Sequence, residues 1–192
     1  AKTPKGQTVY GRGWIETHWP EGRFPSRQDL DAVSPDHPVL LRRADGHAMV
    51  ANTKAIKDAG ITKATKSEFG GKILRAKDGI ATGMFIDNAM NLLSSLEPKL
   101  TPKRKRAAYI KGSEVYAARG WTGIQSMSVN PADVSLIQEL SDSGALKIRV
   151  YNAVDMAGAS SLLDAIAKSG PQTSDNGRVV TRAIKLYADG AL

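Results

Sequence analysis

Cysteine is absent from this 192-residue chain, which excludes disulfides, thiolate zinc sites, iron–sulfur clusters and a cysteine nucleophile. Any metal must therefore be held by His, carboxylate or a modified lysine. Histidine is scarce too: His18, His37 and His47 are the whole set. They form no His-x-His pair and no His-Glu-x-x-His run, so histidines of this chain alone cannot build a metal centre. No apolar run approaches the roughly 18 residues of a membrane-spanning helix, and no membrane partner is expected. No secretory leader is expected from the residues present. With Ala1 in place of Met the N-terminus is expected to be incomplete, and the expected compartment is the cytoplasm, with the periplasm left open.

Acidic residues are outnumbered, 19 Asp+Glu against 27 Lys+Arg, for a net charge of +8. Such an excess raises nucleic-acid binding, so its distribution decides. The densest run is Lys103-Arg104-Lys105-Arg106, placed where Thr101 can cap a helix and Pro102 can fill its first turn. No zinc-finger, homeodomain or RNA-recognition pattern accompanies it. A solvated first helical turn is the plainer reading, and no nucleic-acid partner is expected.

Residues 1–36 are punctuated by Gly and Pro and read as loop, apart from a short helix after Ser26 with Asp29 in capping-box position. Residues 37–43 read as a strand. Asn52 begins a helix that Gly60 ends, residues 72–75 and 82–87 form a hairpin, and 87–96 form a helix with Met90 and Leu93 on one face. From residue 101 the pattern changes. Helices over 103–118, 131–141 and 159–168 alternate with strands over 121–127, 146–154 and 178–187, the signature of parallel βα units. Three strands do not close a barrel, so an incomplete piece of a larger α/β protein is expected.

Lys185 stands in the apolar strand Ala183-Ile184-Lys185-Leu186-Tyr187, near its C-terminal end. A buried lysine is costly unless paired, neutralised or chemically altered; outward-facing on an alternating strand, it needs no function. Asp189 lies just beyond, either a substrate contact or a turn former with Gly190. Asp45-Gly46-His47 forms either a plain turn or a site in which a neutral imidazole polarises a carbonyl. Arg12 and Trp14, within Gly11-Arg12-Gly13-Trp14, could bind a carboxylate and an apolar ring, or merely anchor a loop.

Taken in order, several segments resemble one family. They are Gly11-Arg12-Gly13-Trp14, residues 19–25 with Asp29 and Asp31, residues 38–47 with Asn52, Gly83 with Asp87-Asn88, residues 120–124, and residues 184–191. The chain resembles the large-insertion branch of the metal-dependent amidohydrolases, the N-substituted formamide deformylase-like and exoenzyme-regulatory-like group. The resemblance implies an α/β fold: part of a (β/α)8 TIM barrel, about strands two to four, contributed by residues 101–192, with an α+β insertion subdomain after strand one over residues 1–100. It implies hydrolysis of C–N, amide-type bonds in a small-molecule substrate by metal-activated water. The divalent metal is expected to be zinc, held in the parent protein and not necessarily in this piece. Lys185 falls where many members carry a carbamylated lysine as metal ligand, and Arg12, Trp14, Asp45, His47 and Asp189 become substrate-binding candidates. Where the family often shows His-Asp and glycine, this chain has Gln125-Ser126-Met127-Ser128. The alternatives are a non-catalytic binding or regulatory protein of the same fold and, behind it, a basic nucleic-acid-binding domain. A homo-oligomer, or the remainder of the parent chain, is expected to cover the open strand edges.

Overall fold

Apolar runs and capping residues organise the chain into two separate units, divided between Lys99 and Leu100. The computed structural model describes residues 3–4, 6–67 and 69–187. The first unit contains, in order, β1 (Val9–Trp14), α1 (Arg27–Asp31), β2 (Val39–Arg43), β3 (Ala48–Ala51), α2 (Thr53–Asp58), β4 (Gly71–Arg75) and β5 (Ala81–Asp87). Their sheet runs β1-β2-β3-β5-β4, with β1 parallel to β2 and the other pairs antiparallel.

This sheet is buried on both faces, and the period of two along each strand sorts side chains between two cores. Met49 and Ala51 pack with Leu40, Phe85 and Leu93 on one side; Ala48 and Val50 pack with Leu30, Val39 and Met84 on the other. Asn52 closes the assembly. Fully buried, it caps α2 by accepting from the Ala55 amide at 2.9 Å, accepts from the Val39 amide at 3.0 Å, and donates to the carbonyls of Ser34 and His37 at 2.9 and 2.8 Å. Ser26 and Asp29 form the expected capping box on α1.

Three local expectations are corrected. Residues 9–14, read as loop, form β1, whose bulge at Gly13 (φ +114°) re-aims Trp14. Residues 48–51, between the Asp45-Gly46 turn and Asn52, form β3: buried on both faces, it shows no alternation in sequence. The 88–96 segment is a 3-10 helix, Asn88–Leu96. Met90, Leu93 and Leu96 recur every third residue, so three residues per turn stack them in one stripe against the core.

The second unit contains α3 (Pro102–Ala117), β6 (Gly123–Val129), α4 (Val134–Asp142), β7 (Arg149–Asp155), α5 (Ser160–Ser169), the short β8 (Gln172–Thr173) and β9 (Val179–Lys185). Its sheet runs β6-β7-β9-β8; the three long strands are mutually parallel and only β8 is antiparallel. The expected alternation of helix and parallel strand is present. Its core is Val129, Val134, Ile137, Leu140, Leu146, Val150, Val154 and Val179. Two cations of the basic run serve this packing: Lys105 donates to Asp133 at 2.6 Å and Arg106 grips Glu139 through two bonds of 3.1 and 2.7 Å, tying α3 to α4. No helix among the described residues is long and apolar enough to cross a membrane.

Candidate functional site

In the first unit, the turn between β2 and β3 gathers charge. Arg43 holds Glu16 through two bonds of 2.9 and 2.7 Å and also bonds Asp45. The Arg43 guanidinium keeps the Glu16 carboxyl below the usual carboxylate range. Burial pushes Asp45 up, but the His47 amide at 3.0 Å together with Arg43 outweighs it and leaves Asp45 lowered. His47 sits in this turn ahead of β3, not at a helix start. Its Nδ1 lies 2.7 Å from Oδ1 of Asp87 at the end of β5, with the imidazole half exposed and the carboxylate 14% exposed. An ionised carboxylate only accepts, so Nδ1 carries the proton, and in the neutral imidazole Nε2 is left as an acceptor. Asp87 reaches this position with φ 48°, its amide bonded to the His47 carbonyl at 3.0 Å.

Arg12 joins the same turn, donating to the Ala44 carbonyl at 3.2 Å. Trp14 does not. The Gly13 bulge sends its indole N–H to the Leu41 carbonyl at 2.7 Å and its ring to Trp19, centroids 6.0 Å apart. There it lines a cavity of about 360 Å³ with Pro25, Leu30, Leu41 and Val50; neither Arg12, Asp45 nor His47 contributes to that lining. At the same cavity Arg23 holds Asp29 by two bonds of 2.8 and 2.9 Å, and its guanidinium keeps the Asp29 carboxyl well below the ordinary range. The expected wall is thus two places: a polar turn with Arg12, Asp45 and His47, and an aromatic cavity with Trp14.

In the second unit, the C-terminal ends of the parallel strands bring polar groups together. Lys185, half-buried, ends β9 in register with Asp155 at the end of β7. Its Nζ lies 5.0 Å from the centre of the Tyr187 ring, and the Tyr187 hydroxyl bonds Ser128, which follows a register shift in β6 at φ 58°. Asp155, Ser128 and Tyr187 escaped sequence reasoning; their position at parallel strand ends was the available signal. Asp189 lies outside the described residues.

A metal would need more donors than these. Among the described residues no three of His, Asp and Glu converge on a common point. Lys185 as an ammonium over an aromatic face has no lone pair to offer. The described residues therefore do not make up a metal centre by themselves.

A model of the amidohydrolase family matches residues 1–192. The chain belongs to the amidohydrolase family. Among curated relatives of this amidohydrolase-family chain, the protein LONG AFTER FAR-RED 3 of Arabidopsis thaliana is 36% identical over 120 residues, covering 62% of this chain and 20% of that protein. The N-substituted formamide deformylase of Arthrobacter pascens is 33% identical over 147 residues, covering 74% of this chain and 27% of that enzyme. The crystal structure of an uncharacterized metal-dependent hydrolase from Pyrococcus horikoshii OT3 matches with a TM-score of 0.60 at 24% identity, over 97% of this chain and 35% of that one. The chain thus spans about a third or less of the length of these three proteins, and its mixed α/β fold with two sheets matches part of the Pyrococcus horikoshii structure.

Proposed function

We propose that this chain is part of a metal-dependent hydrolase that cleaves C–N, amide-type bonds of a small-molecule substrate. In this reading residues 101–192 supply βα units of a (β/α)8 barrel and residues 1–100 an insertion that contributes substrate contacts. The observation that carries it is the parallel set β6, β7 and β9 with Lys185 at the C-terminal end of β9, the edge where barrel enzymes gather their reactive groups. A divalent metal, zinc on this reading, supplies an activated water when bound. Carbamylation would convert Lys185 from a cation into an oxygen-bearing anion able to ligate it, with ligands from outside the described residues completing the site.

The roles left to the first unit are orientation and polarisation. His47, held by Asp87, presents Nε2 to a substrate N–H; Arg12 supplies a fork of N–H donors and Trp14 an apolar wall, while Asp189, in the later half of the chain, is taken as a further polar contact. The exposed Trp121, Met127, Ile184 and Leu186 are surface that a second copy or further chain would cover. Lys185→Ala tests the reading. Zinc per protein and the hydrolysis rate of N-substituted amides, both measured on the full-length protein, should each fall by about tenfold or more, the scale on which metal-site support is lost. Unchanged zinc content and rate would remove Lys185 from the site.

A further inference from the structure

Arg12 and Arg42 stand opposite one another in register on the parallel strands β1 and β2. Like charges placed directly across a sheet are unfavourable unless something neutralises them. Three guanidinium groups have such a partner: Arg23 has Asp29, Arg43 has Glu16 and Asp45, and Arg106 has Glu139. Among the described residues Arg12 and Arg42 have none. The nearby acids are already committed, Glu16 and Asp45 to Arg43 and Asp87 to His47.

The two groups flank Gly46. Arg12 donates to the Ala44 carbonyl at 3.2 Å, and Arg42 donates through Nε to the Gly46 carbonyl at 3.2 Å. Each uses one N–H in this way and keeps the rest of its fork. The position that a Cβ on Gly46 would take is 3.4 Å from Nη2 of Arg12 and 4.0 Å from Nε of Arg42. Gly46 has φ +87° and no side chain, so no Cβ stands between the two guanidinium groups, which lie at van der Waals distance from that position.

We propose that Arg12 and Arg42, over Gly46, form a binding site for the carboxylate of a small-molecule ligand. A planar, two-oxygen anion matches the guanidinium fork and can take two parallel N–H bonds from it. The negative charge of the carboxylate offsets the like-charge strain between the two guanidinium groups, which a merely polar ligand would not do. The site is read from this sheet alone and holds whether or not the protein hydrolyses amides.

Binding of N-acetylglycine to the purified protein, followed by calorimetry at low ionic strength, tests it. The neutral N-acetylglycinamide and inorganic phosphate are the comparison ligands. N-acetylglycine should bind and its amide should not. Arg12→Gln and Arg42→Gln should each weaken binding about tenfold, the loss expected for a charge-assisted bond. Arg119→Gln, an exposed arginine elsewhere, should leave binding unchanged. Equal binding of the amide, indifference to both substitutions, or equal loss in Arg119→Gln would overturn the site, and tighter binding of phosphate would overturn its assignment to a carboxylate. Should Arg42→Gln fail to fold, Arg12→Lys and Arg42→Lys serve instead: each keeps the charge, loses the fork and should still weaken binding. Binding is read without turnover, so failure here leaves the hydrolytic reading standing, and failure of hydrolysis leaves this site standing.

Discussion

At Asn52 four backbone groups depend on one side chain. Its amide oxygen serves the amides of Val39 and Ala55, and its nitrogen serves the carbonyls of Ser34 and His37. Asn52→Asp keeps the shape but removes both donated protons and buries a charge against two carbonyl oxygens. A loss of about 2–4 kcal/mol is expected, more than for an ordinary hydrogen bond because the orphaned groups stay buried. Urea unfolding of the two proteins would measure it, and a loss below 1 kcal/mol would mean the loop rearranges to water. Titratable residues act in both directions. Glu16 is lowered from 4.5 by Arg43, so the folded state binds fewer protons than the unfolded chain. Its contribution is therefore complete above pH 4.5 and lost as pH falls below that value. Glu16→Gln should remove about 1–2 kcal/mol at neutral pH and flatten the acid limb of the stability curve. Tyr109 runs the other way. Burial, then the adjacent charge and acceptor of Asp133, push its phenol up to about 12 from 10.0. Stability from this group is intact below pH 10 and lost between about 10 and 12, a loss that Tyr109→Phe should abolish in alkaline urea titrations.

Among the elements, strand β5 combines a positive φ with a close main-chain approach. Gly83 has φ +112°, and a Cβ there would lie 2.6 Å from the Arg27 amide nitrogen and 2.8 Å from the Ala51 carbonyl oxygen, both of them main chain. Gly83→Ala should cost about 2–4 kcal/mol from combined strain and overlap. Gly112, in the middle of α3 with nothing within 4 Å, gives the contrast: Gly112→Ala should stabilise by about 0.5–1 kcal/mol. Thermal melts of the two would show opposite shifts. Elements announced by caps and turns were legible in the sequence, including the Ser26 box, the Asn52 and Thr101 caps and the alternation of α3 to β9. β3 was not, because a four-residue strand buried on both faces has no alternation to see. β1 was hidden by Gly11 and Gly13, which look like loop yet serve close approach to Leu41 and a bulge. In the candidate site, His47 stood out as a scarce residue in a turn. Its partner Asp87 lies forty residues away, and only the antiparallel pairing of β3 with β5 brings the two together. Arg12 was legible as a cation but Arg42 was not, since parallel pairing of β1 with β2 leaves no local pattern. The basic run at 103–106 reads in sequence as a solvated helical turn, and only the fold shows that Asp133 and Glu139, on the next elements, take up two of its charges.

Over the whole molecule, stability is divided between cores that share no residue. Leu40, Met49 and Phe85 anchor one sheet, while Ile137, Leu140 and Val154 anchor the other. The chain passes from one to the other through Pro98, Lys99 and Leu100, all exposed. A proline in this stretch prevents the preceding residues from continuing as helix, and few backbone bonds restrain the connection. Two consequences follow from separate cores. Brief trypsin treatment should cut after Lys99, giving two fragments detectable by mass spectrometry, because Pro98, Lys99 and Leu100 form an exposed connection between two separately packed units. Damage should also stay local. Hydrogen exchange of the protein carrying Asn52→Asp should show faster exchange at β2, β3 and β5 and unchanged protection at β7 and β9, as expected when opening follows cooperative units. Equal loss of protection in both sheets would show instead that the two cores unfold as one, and that the connection transmits more than its exposure suggests.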